Sequence, residues 1–495
     1  MNTSFDPADL AYCSATEQLR QLNSRRIGAV ELLDLHLSRI ERLNPQLGAV
    51  VALDIERAHD AARQADAVAD GRGALHGLSL TVKDSFEVAG MPTTCGLPFL
   101  AAHRPSTDAA AVARLKSAGA IVFGKTNLPP GAGDFQSANE LFGAARNPWD
   151  ETKTPGGSSG GAAAAVAAGL SSLELGSDIA GSVRVPAHFC GVYGHKPSYG
   201  LIPIAGHVPP FPGSPVPIEM GVAGPLTRSA DDLELMMDVL VSASPSAAKA
   251  WSVAIPASRH ERLEDFRVAV LIDDAYAVDD ADREQLLSYV DDLRRIGVKV
   301  DWGAKPDFDM KQSFETFLAS LNAIFAALGP YEAAEAGLAA ARERAATGDA
   351  YAEILTRSAL MRHREFVALA MHREKLMTAW ARFFEAYDLL LCPVSTTAAF
   401  AHDQSYAHLG LAGHTFRTIH HAGRDRPYAD TFLWSSLASV ADLPATAMPT
   451  GRFVNGLPVG LQVIGPVFED RTPIRFAQLV EKQLGGFVRP PLAPD

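Results

Sequence analysis

The sequence has few cysteines, and their spacing fits neither a disulfide framework nor a zinc site. Only four occur among 495 residues, Cys13, Cys95, Cys190 and Cys392, and no two of them have C-x-x-C spacing. This scarcity excludes small disulfide-rich secreted domains and cysteine-based structural zinc sites. We therefore expect a protein of the reducing cytoplasm.

Long apolar runs and an excess of positive charge are also lacking. No stretch of about 18 apolar residues is present, as a membrane-spanning helix would require. The first residues lack the basic start and apolar core of a signal peptide. The formal net charge is −13 and the pI is near 5.6, which disfavours nucleic acid and anionic membranes as partners. We expect neither partner.

Segments with strand and helix patterns alternate along most of the chain. The patterns predict helices over 28–43 (ending at Asn44 and Pro45), 54–70, 108–118, 161–169 and 282–296, and strands over 47–53, 78–83, 120–123, 266–271 and 298–300. Such alternation is typical of an α/β fold with a mixed, twisted β-sheet covered by helices on both faces.

No linker or internal repeat divides the chain, so we predict a single domain over 1–495. Residues 310–384 have a continuous helical pattern and are interpreted as a helical insertion within it. Five prolines between Gly206 and Pro217 predict a stiff, irregular loop, because proline continues neither a helix nor a central strand. Asn455-Gly456 between two apolar runs predicts a hairpin turn.

Two serines lie in glycine-rich turns that are separated by an Ala/Gly helix. Ser158 is in Gly-Gly-Ser-Ser-Gly-Gly over 156–161, and Ser182 follows 24 residues later in Asp-Ile-Ala-Gly-Ser-Val-Arg over 178–184. Lys83 ends an apolar run 75 residues before Ser158. Glycines allow the backbone to approach a ligand closely. Two such turns with a half-buried lysine indicate acyl-transfer chemistry without histidine or metal.

These residues resemble the amidase signature family, the serine hydrolases with a Ser–cis-Ser–Lys triad. Further motifs fit in the same order: His76-Gly77-Leu78, Gly124–Asn127, Asn147–Trp149, Cys190–Val192 with Lys196-Pro197, Gly224–Arg228, Leu443–Ala445 and Gly456–Gln462. The resemblance covers about 25–245 and 385–485 and implies the fold of that family.

The resemblance also implies a role for each of the three residues. Ser182 would be the nucleophile that forms an acyl-enzyme. Ser158, held by a cis peptide bond to Gly157, would relay protons to Lys83 as general base. Asp178 and Arg184 match positions that brace the nucleophile loop. The spacing assigns the neighbouring Ser159 a structural role, its hydroxyl satisfying nearby backbone groups.

The backbone N–H groups of Ile179, Ala180, Gly181 and Ser182 would form the oxyanion hole by the same resemblance. The chain departs here from the family's commonest pattern, which has two glycines before the nucleophile. Alanine keeps its N–H, so the hole survives if residue 180 needs no positive φ.

Two other functional motifs match the sequence in residue type but lack the structural context that each motif needs. Residues 156–160 fit G-x-S-x-G, but the nucleophile elbow needs an apolar strand before it, and residues 151–155 are polar and end in proline. Residues 119–126 fit the P-loop pattern, but Ala-Ile-Val-Phe at its loop positions indicates a strand.

Histidines are concentrated near the C-terminal third, at His402, His408, His414, His420 and His421. Their spacing does not match the i, i+4 pair of zinc enzymes, so we interpret the segment as a flexible loop that could border the active site. His195 is interpreted as a packed polar residue. We expect no metal and no cofactor.

We predict an amidohydrolase of linear carbon–nitrogen bonds other than peptide bonds, acting on a small-molecule amide. The candidate pocket residues are Phe135, Gln136, Trp149, Phe211 and the segment 310–384. The alternative is the glutaminase-type subunit of an amidotransferase, which acts with partner proteins and in which Arg417 or Arg424 would hold the glutamine carboxylate. The oligomeric state does not follow from the sequence, and a homodimer is possible.

Overall fold

The computed structural model describes residues 7–68, 73–272, 278–328, 331–405, 416–421 and 423–492. Its strands are β1 (Val50–Leu53), β2 (Ser79–Lys83), β3 (Ile121–Thr126), β4 (Ala138–Asn139), β5 (Gly143–Ala144), β6 (Glu174–Asp178), β7 (Tyr193–Lys196), β8 (Val222–Thr227), β9 (Arg267–Val270), β10 (Lys299–Trp302), β11 (Leu389–Pro393), β12 (Thr418–His421), β13 (Arg424–Pro427), β14 (Ala445–Val454) and β15 (Leu457–Ile464).

Eleven of these strands form one sheet in the order β1-β3-β2-β6-β8-β7-β14-β15-β11-β9-β10. Strands β3, β2 and β6 are mutually parallel, as are β10, β9 and β11, whereas the remaining pairs are antiparallel. The predicted mixed sheet is therefore confirmed. Two-stranded ribbons are formed by β4 with β5 and by β12 with β13.

Helices surround the sheet. They are α1 (Pro7–Tyr12), α2 (Ala15–Asn23), α3 (Ala29–Leu47), α4 (Ile55–Ala67), α5 (Ala110–Ser117), α6 (Gly160–Ala167), α7 (Arg184–Cys190), α8 (Ala230–Leu240), α9 (Asp280–Arg295), α10 (Met310–Leu328), α11 (Tyr331–Ala345), α12 (Ala350–Ser358), α13 (His363–Ala386), α14 (Leu433–Ser439) and α15 (Arg471–Leu484). In the described ranges, none of them is long and apolar enough to cross a membrane.

Both faces of the sheet are covered, because successive residues of a strand enter two different apolar clusters. In β11, Leu389 and Leu391 belong to the cluster that includes residues of α3, α8 and α9. Leu390 and Cys392 belong to the cluster that includes residues of α10, α13 and α14. Successive side chains of a strand point to opposite faces, so each cluster lies on one face.

The segment with the continuous helical pattern contains the four helices α10 to α13. The predicted hairpin is confirmed, since Asn455 and Gly456 connect β14 to β15 with φ values of 51° and 80°. The proline-rich loop contains neither helix nor strand, and its Val208–Pro209 and Pro209–Pro210 peptide bonds are cis.

The end of the first long helix was predicted wrongly. Helix α3 continues past Pro45 to Leu47, so β1 starts only at Val50. The helix ends where Gly48, at φ 56°, donates its N–H to Asn44 O at 2.7 Å. The Asn44 side chain also bonds both backbone groups of Val50 at 2.8 Å. These contacts stabilise a turn that proline alone does not specify.

Most of the residues that fit the P-loop pattern form a strand, as predicted. Gly124 and Lys125 lie within β3, and the buried Lys125 Nζ donates to Asp84 Oδ1 at 3.0 Å and to Phe86 O at 2.8 Å. No strand directly precedes Ser158, so the elbow geometry is not present there either.

Candidate active site

Lys83 is the last residue of β2, and its side chain is fully buried. Because β2 pairs in parallel with β6, the carboxyl ends of both strands lie at the same edge. Lys83 Nζ lies 2.6 Å from Ser158 Oγ and 2.9 Å from Ser177 Oγ. The structure thus brings Lys83 and Ser158 together.

Burial lowers the pKa of Lys83 from 10.5 to about 7, because removal from water disfavours the charged ammonium. Interactions with Cys95, Asp178 and Glu174 act in the opposite direction and are weaker. A lysine with this pKa is substantially neutral near pH 7. Its amine is then able to accept a proton.

Ser158 lies in a turn whose glycines leave no room for side chains. A Cβ atom on Gly157 would lie 2.4 Å from Asp134 O, and one on Gly161 would lie 2.4 Å from Asn127 N. The Gly157–Ser158 peptide bond is cis, as the resemblance implies. Helix α6 begins two residues later at Gly160, whose N–H donates to Ser137 Oγ at 3.0 Å. The close packing fixes the position of the Ser158 hydroxyl beside Lys83.

Ser182 lies in the turn between β6 and α7. It lines the same cavity as Ser158 and is 5% exposed. Ser159 N donates to Ser182 O at 3.0 Å, which connects the two serine turns directly. Both hydroxyl-bearing turns therefore lie at one cavity.

Asp178 and Arg184 brace the turn that holds Ser182. Arg184 donates from Nη2 and Nε to the two carboxylate oxygens of Asp178 at 2.8 Å and 3.0 Å. Burial opposes ionisation of Asp178, but Arg184, with smaller contributions from Lys196 and the N–H of Val183, outweighs it and lowers its pKa to about 2. Asp178 is therefore ionised at neutral pH and holds the turn from inside.

The structure departs at Gly181 from the expected set of oxyanion-hole donors. Its N–H donates to Asp178 Oδ1 at 2.8 Å and is not available to a substrate in this structure. The N–H groups of Ile179, Ala180 and Ser182 have no hydrogen-bond acceptor among the described residues. Ala180 has no positive φ, whereas Gly181 has φ 126°, so alanine at 180 is compatible with the turn.

Ser159 has the contacts predicted for a structural residue. Its hydroxyl donates to Ser177 O at 3.3 Å and accepts from Ser177 N at 3.4 Å. It therefore satisfies backbone groups of β6.

Two further residues of the site, Ser177 and His207, were missed in the sequence. Ser177 in β6 accepts from Lys83 Nζ, and its Oγ also lies 2.9 Å from His207 Nε2. His207 lines the cavity, and its Nδ1 lies 3.0 Å from Pro209 O. The only signal in the sequence was the place of His207 in the proline-rich loop, which says nothing of its partner.

The cavity in front of Ser182 has a mainly apolar wall. Its apolar lining residues are Ala132, Ile179, Ile204, Pro209, Ile218, Val222 and Phe325. Phe325 comes from α10, so the helical segment 310–384 contributes to the pocket. Among the described residues that line this cavity, none is arginine or lysine.

The individually named pocket residues lie elsewhere. Phe135 packs against Phe432, and Gln136 exchanges hydrogen bonds with the backbone of Asp403. Trp149 Nε1 donates to Cys190 O at 3.0 Å, and Phe211 is 56% exposed. Their aromatic or amide character alone did not distinguish packing from substrate contact.

The two arginines considered for a glutamine carboxylate are placed differently. Arg417 is buried, donates to Asp134 Oδ2 at 2.7 Å and stacks on Tyr428. Arg424 is exposed on the ribbon of β12 and β13. Neither lines the cavity.

The histidine-rich segment is not a loop throughout, contrary to expectation. His420 and His421 belong to β12, which pairs with β13, and His402 Nε2 donates to Ala145 O at 2.8 Å. His408 and His414 lie outside the described residues. The described ranges contain no group of three His, Cys, Asp or Glu residues arranged to hold a metal ion. His195 is buried against Asp470 and Thr446, as predicted.

Comparison with known proteins shows the family of the chain. Residues 31–473 match the family model described as Amidase. The chain belongs to the amidase signature family. Since that match covers most of the chain, it includes both serine turns, Lys83 and the cavity wall.

Relatives of this family member include both amidases and amidotransferase subunits. The A subunit of glutamyl-tRNA(Gln) amidotransferase from Gloeobacter violaceus is 32% identical over 481 residues, which cover 94% of this chain and 95% of the relative. A crystal structure described as an amidase is 27% identical, with TM-score 0.75, over 96% of this chain and 100% of the other. The corresponding amidotransferase subunit from Thermotoga maritima is 27% identical, with TM-score 0.74, over 97% and 98%.

Proposed function

We propose that the protein hydrolyses a linear carboxylic amide through an acyl-enzyme on Ser182. The observation that carries the proposal is the 2.6 Å contact between Lys83 Nζ and Ser158 Oγ, at the cavity that Ser182 also lines. A buried lysine with a pKa of about 7 supplies the base that such a reaction needs. No cofactor enters this chemistry.

In the acylation step, neutral Lys83 takes the Ser158 hydroxyl proton while Ser158 takes the proton of Ser182. Ser182 Oγ bonds to the amide carbon, and the carbonyl oxygen becomes an oxyanion. The N–H groups of Ile179, Ala180 and Ser182 are the donors available to it, each worth about 2.7–4 kcal/mol in such sites.

Collapse of the tetrahedral intermediate breaks the carbon–nitrogen bond. The leaving nitrogen receives the proton that Lys83 holds, returned through Ser158, and departs as ammonia or an amine. Water then attacks the ester on Ser182, with the same two residues taking its proton. The acid is released, and the resting enzyme is restored.

The cavity wall supports a neutral, apolar substrate. Its apolar lining, which includes Ile179, Ile218 and Phe325, would bury an aliphatic or aryl group of the amide. The described lining residues include no cation to pair with a substrate carboxylate. This favours a stand-alone amidase over a glutaminase.

The test compares the wild type with Ser182→Ala on matched primary amides and anilides, with quantification of ammonia and arylamine. Loss of ammonia or arylamine release in Ser182→Ala supports the proposal. The preference of the wild type for primary amides or for anilides indicates how large a leaving group the site accepts. Equal release by both proteins would mean that Ser182 is not the nucleophile.

A second candidate is the glutaminase-type subunit of an amidotransferase that acts with partner proteins. The curated relatives favour it over the first, since the relative from Gloeobacter violaceus and others of similar identity are described as the A subunit of glutamyl-tRNA(Gln) amidotransferase. Such a protein would release ammonia from glutamine and would associate with further chains.

Glutamine hydrolysis separates the two candidates. Ammonia release from glutamine that exceeds release from neutral amides, together with copurification of stoichiometric partner chains, would establish the amidotransferase role. Hydrolysis of neutral amides by the isolated chain, with glutamine inert, would establish the amidase.

A further inference from the structure

His207 is part of a continuous hydrogen-bond chain that ends on Lys83. His207 Nδ1 lies 3.0 Å from Pro209 O, and its Nε2 lies 2.9 Å from Ser177 Oγ. Ser177 Oγ in turn lies 2.9 Å from Lys83 Nζ. All three side chains are at least nine-tenths buried.

The direction of each bond in this chain is determined by chemistry. A carbonyl oxygen only accepts, so His207 Nδ1 carries the proton that Pro209 O receives. In a neutral imidazole the other nitrogen then accepts. The Ser177 hydroxyl therefore donates to His207 Nε2, and its oxygen is left to accept from Lys83.

The surroundings keep His207 neutral. Burial is the main cause that lowers the pKa of His207 to about 3. The positive charge of Lys83 lowers this pKa further, whereas the hydrogen bond to Pro209 O raises it. The ring also packs edge-on against Phe86, with centroids 4.9 Å apart. The other groups that act on Lys83 are Cys95, Asp178 and Glu174.

We propose that His207 is a positioning residue that turns the Ser177 hydroxyl away from Lys83 and so keeps the amine lone pair for Ser158. A neutral amine has two N–H groups and one lone pair. With the Ser177 hydrogen held by His207, Ser177 accepts one N–H and cannot occupy the lone pair. Without His207, that hydroxyl is free to donate to the lone pair and competes with Ser158.

The inference rests on the proposed function of Lys83 as base, and it is tested without knowledge of the substrate. A fluorophosphonate probe reports nucleophile activation, since Ser182 Oγ forms the phosphorus–oxygen bond, fluoride leaves and the serine proton passes to Lys83. The rate of labelling is measured for the wild type, Ser182→Ala, His207→Phe, His207→Gln, Ser177→Ala and the double variant of His207→Phe with Ser177→Ala.

His207→Phe keeps a ring against Phe86 and removes the acceptor, so labelling is expected to slow by about tenfold or more. His207→Gln supplies an amide oxygen near the position of Nε2 and is expected to restore most of the rate. In the Ser177→Ala background no hydroxyl competes for the lone pair. There His207→Phe is expected to change the rate by less than about twofold, which is a strong departure from additivity.

Equal slowing by His207→Phe in both backgrounds would overturn the inference and make His207 a wall of the cavity only. Failure of His207→Gln to recover activity would do the same. Labelling that persists in Ser182→Ala would overturn the proposed function itself, and the inference with it. If His207→Phe does not fold, His207→Leu gives the same comparison, with the thermal unfolding midpoint as the check.

Discussion

Arg184 and Asp178 form a two-pronged ion pair inside the protein, and both side chains are fully shielded from solvent. Removal of one partner from such a pair leaves an uncompensated buried charge, which costs about 3–5 kcal/mol. Arg184→Ala is therefore expected to lower the free energy of unfolding by about that amount, measured by denaturant titration. Arg63→Ala, which removes an exposed pair with Asp60, should leave the midpoint unchanged.

Activity should follow the protonation of Lys83. Because burial lowers the pKa of Lys83 to about 7, the neutral amine dominates above that pH and the ammonium below it. We expect kcat/KM to rise about tenfold per pH unit below 7 and to reach a plateau above it. Lys83→Arg should be inactive at every pH, since arginine is not deprotonated in proteins. A flat profile of the wild type between pH 5 and 9 would contradict this assignment.

The two adjacent serines give a matched pair of variants. Ser158→Ala removes the hydroxyl that contacts Lys83 Nζ, so activity should fall by about 100-fold or more, though less than in Ser182→Ala. Ser159→Ala removes only contacts to the backbone of Ser177 and should retain most of the activity. Steady-state rates on one amide are sufficient for the comparison. Equal losses of activity in both variants would contradict the different roles assigned to Ser158 and Ser159.

Exchange of alanine and glycine should be tolerated at residue 180 but should abolish activity at residue 181. Ala180→Gly keeps the N–H of a residue without positive φ, so kcat should change by no more than a few fold. In Gly181→Ala the new Cβ would lie 2.8 Å from Ser435 Oγ at a φ of 126°, and the turn that carries Ser182 must shift. Activity should then be lost while the remaining fold is kept, as checked by circular dichroism. An active Gly181→Ala enzyme would show that the turn tolerates this shift.

The sequence was most informative where a local pattern or a family motif is present. Lys83 and Ser158 were expected to act together because the resemblance to the amidase signature family implied it, each residue lying in its own apolar or glycine-rich segment. The alternation of strand and helix patterns predicted a sheet with two covered faces. That second signal depends on neighbouring residues only and needs no knowledge of distant contacts.

Features that depend on contacts between distant segments were missed. His207 meets Ser177 across 30 residues, and neither residue type predicts the other. The N–H of Gly181 is occupied by Asp178 through the detailed shape of a turn. Helix α3 passes Pro45 because the Asn44 side chain stabilises the following turn. None of these contacts follows from hydropathy or spacing.

The support of the turn that carries Ser182 has a consequence for biosynthesis. Beyond Asp178, Arg184 bonds Ser435 O at 2.8 Å and Gln462 Oε1 at 2.7 Å, residues 251 and 278 positions further along the chain. A nascent polypeptide that has only just emerged past Ser182 lacks these anchors. The turn that carries Ser182 thus has all of its Arg184 anchors only when nearly the whole polypeptide has left the ribosome, and an incomplete translation product is expected to lack the proposed activity.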